Sequence, residues 1–259
     1  MLLSLVLTGS TVLLGCSDGT SNPVATKVET TGGAPTPTPA MDPALREAWQ
    51  FIRRGRPDIA RMRIRGTVVD DDFSAQATFL MGLSHHVEKH YGRALPWLER
   101  ACDHPDTYPP AWHFRGWALY WLGQPDEART AFEHHLTLTP DEGDSHFAIG
   151  LIDLEAAQWD AAEARFNTAI ELQRDRPDRI DGVAKATARI AEVVEQRDGD
   201  LVRAEALLAA ALAMHGDLYE AGFRRARLLR RLDQHDEADA VEAAASAARD
   251  TSVEKAAGS

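Results

Sequence analysis

The chain reads as an all-α solenoid of helical hairpins, and three recurrences at one interval predict it. Gly82, Gly116 and Gly150 lie 34 residues apart. Ala94, Ala128 and Ala162 keep the same step, and so do Leu98, Phe132 and Phe166. A small residue, an alanine twelve later and a bulky apolar residue four after that mark a two-helix unit. Such a unit cannot bury its apolar face alone and stacks on copies of itself.

Composition permits this and excludes other classes. The chain has 259 residues, 44% apolar and 26% charged, which is ordinary for a globular protein. A formal net charge of −12 argues against nucleic acid as the main partner, because phosphate binding needs a positive face. Two cysteines, Cys16 and Cys102, make no disulfide framework.

The first fifteen residues, MLLSLVLTGSTVLLG, are apolar and free of charge. A helix crossing a bilayer needs about 20 apolar residues, so this run fits the apolar region of a secretory signal. Leu13-Leu14-Gly15-Cys16 resembles the lipobox of bacterial lipoproteins. The resemblance implies removal of 1–15 and lipid modification of Cys16; an ordinary cleaved signal, or a buried hydrophobic tail, with Cys16 incidental, is the alternative. Ser17, rather than Asp, after the cysteine resembles outer-membrane sorting. Residues 16–40 then read as a lipid-anchored, disordered linker of Thr, Pro and Gly ending in APTPTPA. Such a segment buries too little apolar surface to order itself and favours extended conformations.

The repeats follow over 41–250, near 41–74, 75–108, 109–142, 143–176, 185–218 and 219–250. The unit starting at Pro109 is the clearest. Trp112, Gly116, Gly123, Ala128, Phe132 and Pro140 occupy its places 4, 8, 15, 20, 24 and 32. The small residues at places 8 and 20 let the paired helices approach, the aromatic ring fills the wedge between hairpins, and the proline stops the second helix. Pro125, Asp126 and Glu127 suit a helix start. The step from Ala162 to Ala204 is 42, so eight extra residues enter near Arg174–Asp181 as a loop or a longer first helix. The first unit is degenerate, keeping Ala48, Gly55, Ala60 and Ile64. The sixth, with Glu242 at place 24, reads as a polar terminal cap. Residues 251–259 read as a disordered tail.

This pattern resembles the tetratricopeptide repeat (TPR). The resemblance implies a right-handed superhelix of about five to six hairpins whose first helices line a concave groove, with places 2, 5, 9, 12 and 13 facing it. Those places give Phe79, Leu83 and His86, then His113, Trp117, Tyr120 and Trp121, then Phe147, Leu151, Leu154 and Glu155. Large aromatic groups are favoured anchors in buried contacts, so the expectation is a groove for an extended or helical apolar segment. Packing of these rings between helices is the alternative. The Lys and Asn of a carboxylate clamp are absent at places 5 and 9. Arg227, Arg230 and Arg231 form a candidate patch for an acidic partner, set against plain pairing with the chain's own Asp and Glu.

No catalytic constellation is read. His86 and His90, four apart, share a helix face with His85 and Glu88 nearby, but no third ligand is evident, and neither metal nor cofactor is expected. His134 and His135 point about 100° apart. Cys102 reads as core. The expected function is a non-enzymatic adaptor tethered to a bacterial envelope membrane, facing the periplasm, that binds another protein. Assembly of a pilus or secretin and scaffolding of cell-wall machinery both remain open. A small-ligand or metal-binding protein using His86 and His113 is the rival.

Overall fold

The computed structural model describes residues 42–67, 72–106 and 108–257. All fall in one compact unit, Thr36–Ser259. The expected signal segment, Cys16 and most of the linker lie outside the described residues. Among the described residues there are twelve α-helices: α1 Pro43–Arg53, α2 Pro57–Arg65, α3 Ala75–Val87, α4 Tyr91–Cys102, α5 Pro110–Trp121, α6 Pro125–Leu138, α7 Gly143–Glu155, α8 Trp159–Gln173, α9 Ile180–Asp198, α10 Leu201–Met214, α11 Tyr219–Arg231 and α12 His235–Ala257. Each odd-numbered helix pairs with the even one after it, and each hairpin packs on the next. None of these helices is long and apolar enough to cross a membrane.

The 34-residue step is a packing rule. A Cβ built on Gly116 would lie 2.7 Å from the Phe132 ring, and one on Gly150 would lie 2.8 Å from the Phe166 ring. At Gly82 it would meet Leu98 at 2.8 Å. The bulky residue at place 24 of the second helix therefore sits directly on the glycine of the first, and Leu98, Phe132 and Phe166 are wholly buried. Ala94, Ala128 and Ala162 are wholly buried beside them. Removing these surfaces from water is the main term holding the hairpins together.

The turns inside the hairpins repeat as closely. Gly55, Lys89, Gly123, Ala157, Gly199 and Asp233 all have positive φ, between 55° and 76°. In five of these turns the amide just after the positive-φ residue donates to a carbonyl five residues back, as from His90 N to His85 O and from Gln124 N to Leu119 O. This is the Schellman closure, which favours glycine at the left-handed position. Three turns have a side chain there instead. Ala157→Gly is expected to raise unfolding stability by about 0.5–1 kcal/mol, because relief of a left-handed alanine outweighs the greater entropy of the unfolded chain. Urea denaturation reads the difference; an unchanged or lower midpoint would oppose it.

The insertion meets its expectation and the C-terminal segment departs from it. The eight-residue insertion becomes both a 3-10 turn, Pro177–Arg179, and a longer first helix, with α9 at 19 residues against 13 for α7. Asp144 pins it, accepting from Gln173 Nε2 and Arg179 Nη1 at 2.7 Å each. Gln173 is wedged where a Cβ on Gly143 or Gly182 would strike it at 2.6 or 2.2 Å. The segment 251–259, expected as a disordered tail, is helical through Ala257. Its Ala-rich sequence prolongs α12, because nothing after Arg249 breaks the helix.

Candidate functional site

Four successive first helices build one cavity of about 770 Å³. Helix α5 contributes Trp117, Tyr120 and Trp121, and α7 contributes Phe147, Leu151, Leu154 and Glu155. From α9 come Lys185, Ala188, Arg189 and Glu192, spaced i, i+3, i+4 and i+7 on one helix face. Helix α11 and the turn before it close the far wall with Tyr219, Phe223, Arg224 and Arg227. The near wall is aromatic and aliphatic. Trp121 is its exposed anchor, at 56% of its surface, with its ring near-parallel to Trp117 at 6.3 Å and to Tyr91 at 6.0 Å. The far wall is charged, and most of its charges are already paired. Arg189 meets Glu192 at 2.9 Å, Arg224 meets Glu192 at 2.9 Å and Glu195 at 3.5 Å, and Lys185 meets Asp181 at 3.1 Å. Arg227 has no ion pair among the described residues.

The expected groove is thus gathered in part. Trp117, Tyr120, Trp121, Phe147, Leu151 and Glu155 line the cavity together. Tyr120 donates a short hydrogen bond to Glu155. Burial, reinforced by that carboxylate, raises the Tyr120 phenol above its ordinary range. Phe79 and Leu83 do not belong: they are 3% and 6% exposed and lie in the first core cluster. Phe79 packs on Tyr108 at 5.0 Å and Phe114 at 5.6 Å, so core packing between these hairpins takes up its ring. His86 is half-buried edge-on to Tyr91 and Phe114. Burial lowers its pKa to about 4.

His113 stands behind the aromatic wall, and its bonding fixes its protonation. Trp117 Nε1–H can only donate, and it reaches His113 Nε2 at 3.1 Å. His113 Nδ1–H must therefore donate to Ser145 Oγ, 2.9 Å away. The other end gives the same direction. Thr139 Oγ1 donates to the His135 carbonyl, so it accepts from His135 Nε2 at 3.0 Å. His135 Nδ1 is then the acceptor for Ser145 Oγ–H at 2.9 Å. The chain from Trp117 to Thr139 is satisfied only with both imidazoles neutral. Burial is the main cause that lowers His113 to about 3 and His135 to about 4. With both His113 nitrogens used and His86 packed among rings, the two are not the ligand pair that the rival reading placed in the groove.

The arginine patch divides. Arg230 pairs with Asp239 at 2.8 Å and with Glu242, and Arg231 pairs with Glu195 at 2.5 Å. These two are engaged by the chain's own acids, and Arg227 alone reaches the cavity. Cys102 is half-buried, and burial pushes its thiol up to about 12, out of range of a nucleophile at neutral pH.

Residues 45–111 match the family model described as tetratricopeptide repeat. The fold is a TPR solenoid. Among solved structures it is similar to Pseudomonas aeruginosa PilF, with a TM-score of 0.64 at 18% identity, over 76% of this chain and 86% of that one. It is also similar to MamA from Desulfovibrio magneticus, with a TM-score of 0.54 at 18% identity over 68% and 96%. A TPR repeat-containing protein of Cytophaga hutchinsonii gives 0.56 at 13% identity over 79% and 78%. These likenesses describe the fold. One curated relative, human cilia- and flagella-associated protein 70, is 24% identical over 128 residues, which are 48% of this chain and 11% of that protein.

Within the TPR frame, the residues that sequence reasoning passed over lie on α9 and α11. Phe223 stands at place 5 of the last repeat, where the groove rule would have found it. The α9 positions were hidden by the insertion, which displaces the register. Arg189 lines the cavity as the rule requires, whereas Ala186 and Val193, at places 2 and 9, are buried.

Proposed function

We propose that this protein is an interaction scaffold that holds a segment of another protein in the cavity formed by α5, α7, α9 and α11. The observation that carries this reading is the cavity itself: four consecutive repeats turn one face inward, and that face presents an exposed tryptophan and an apolar wall. The opposing charges are largely balanced within the chain, so apolar burial supplies the affinity and the charges supply orientation. TPR proteins as a class bind peptide or protein partners, which supports the reading.

We further propose that the scaffold is held at a bacterial envelope membrane, on the periplasmic side of the outer membrane, through lipid on Cys16. The support is the sequence Leu13-Leu14-Gly15-Cys16 and the linker after it. Two acyl chains anchor stably where one does not. Assembly of a pilus or secretin, or scaffolding of cell-wall enzymes, are roles consistent with such an anchor.

Trp121 is the residue to change first. It is more than half exposed, so its loss leaves the fold intact, whereas Trp117→Ala would strand His113 Nε2. A partner captured from an envelope extract by the wild-type chain is expected to be lost with Trp121→Ala and weakened by Arg227→Glu. Equal retention by all three would move the site off this cavity. For the anchor, incorporation of labelled palmitate that Cys16→Ala abolishes is the expected result, and label that survives it refutes the anchor.

A further inference from the structure

The turn between α3 and α4 gathers a second group of side chains unrelated to the cavity. We propose that His85, Glu88 and His90 form a binding site for a divalent cation of the zinc class. One ligand atom from each lies within 4.8 Å of the other two. His85 Nδ1 is 3.8 Å and His90 Nδ1 is 3.4 Å from Glu88 Oε2. Two imidazole nitrogens and a carboxylate oxygen are the donor set this class of cation takes, at about 2.0–2.2 Å from the metal. A small contraction closes the triangle, and the His90 side chain, half exposed, is free to supply it.

The backbone builds this convergence. Helix α3 ends at Val87, and Lys89 takes the left-handed conformation with φ 59°. His90 N then donates to His85 O at 3.0 Å. That closure folds His90 back beside His85, five residues earlier, and leaves Glu88 between them. Helical periodicity pairs His86 with His90; the turn substitutes His85, because His86 points into the rings of Tyr91 and Phe114.

Two further observations point to a ligand. His85 Nδ1 is buried and has no hydrogen-bond partner. A buried imidazole nitrogen left unpaired is costly, and a metal would satisfy it. Arg61 grips Glu88 with a fork, Nη1 to Oε2 at 2.8 Å and Nη2 to Oε1 at 3.1 Å. A carboxylate offers about four lone-pair sites, so two remain, and Oε2 is the oxygen near both histidines. Hydrogen bonding of a ligating carboxylate by an outer group is the usual way such a ligand is oriented. The same guanidinium repels a cation, which weakens the site relative to one without it.

Calorimetric titration of Zn²⁺ into the full, metal-free chain tests this. One saturating site per chain with micromolar affinity is expected. Glu88→Gln and His90→Ala should each weaken it at least about tenfold. His134→Ala, on an exposed histidine far along the chain, should leave it unchanged. His90 is a surface residue, so its loss does not threaten folding, and circular dichroism confirms that. Co²⁺ in place of Zn²⁺ should give the visible absorption of a four- or five-coordinate ion, lost in the same two variants. Absence of a saturating site overturns the proposal, and so does binding that survives both Glu88→Gln and His90→Ala.

Discussion

Phe132→Ala is expected to lower unfolding stability by about 3–5 kcal/mol, the cost of a large cavity in a close-packed core. Phe132 is wholly buried between α5 and α6 and is met edge-on by Trp117 at 5.5 Å and His113 at 5.8 Å. Its ring also rests on the bare backbone of Gly116. The converse change tests the same contact. Gly116→Ala drives a methyl to within 2.8 Å of three ring atoms that have nowhere to go, so a loss of about 1–3 kcal/mol is expected despite the better helix propensity of alanine. The two changes are not independent. With Phe132→Leu in place, Gly116→Ala should cost measurably less, because a leucine can change rotamer away from the added methyl where the rigid ring cannot. Guanidinium unfolding of the four proteins gives the coupling directly. Additive losses would mean that the glycine is conserved in register for a reason other than this contact.

That contact was legible in the sequence because it recurs. Positions 82, 116 and 150 face 98, 132 and 166, and three copies of one spacing outweigh any local propensity. The αL turn was legible only where glycine occupies it; Lys89, Ala157 and Asp233 carry no such mark. Where repeats are regular, at α5 and α7, the residues named from the sequence line the cavity; on either side the lining differs from the sequence reading. In the second repeat the groove places Phe79 and Leu83 are consumed by core packing: both are buried in the first core cluster, and Tyr108 and Phe114 pack on Phe79. A repeat pattern tells which way a residue faces, not what another element lays upon it. The buried line from Trp117 through His113, Ser145 and His135 to Thr139 could not be read at all. Its members come from three helices and a turn, and each alone resembles a surface polar residue.

That line and the separately buried His86 carry the other large expectation, a loss of stability in mild acid. His86, His113 and His135 are held near 4, 3 and 4, against about 6.5 in an unfolded chain. Lowered values mean the folded protein prefers them neutral, so their contribution is complete above pH 6.5. As the pH falls from 6.5 towards 4, unfolded chains take up protons that the folded ones refuse, and stability declines. Each histidine contributes about 1.4 kcal/mol per pH unit over that window, and three together about 4 kcal/mol per unit. A chain at the low end of ordinary stability, about 5 kcal/mol, would then unfold near pH 5, above the range where carboxylates titrate. Urea titrations between pH 7 and pH 4.5 should give a slope of about three protons taken up on unfolding. His135→Gln keeps an acceptor for Ser145 and a donor for Thr139 and removes the charge, so the slope should fall to about two even if the protein is weaker at pH 7. A flat profile from pH 7 to pH 5 would show that the histidines can be protonated inside the fold. The hydrogen-bond directions assigned from Trp117 and Thr139 would then be wrong, since a proton on His113 Nε2 would face the indole N–H head on.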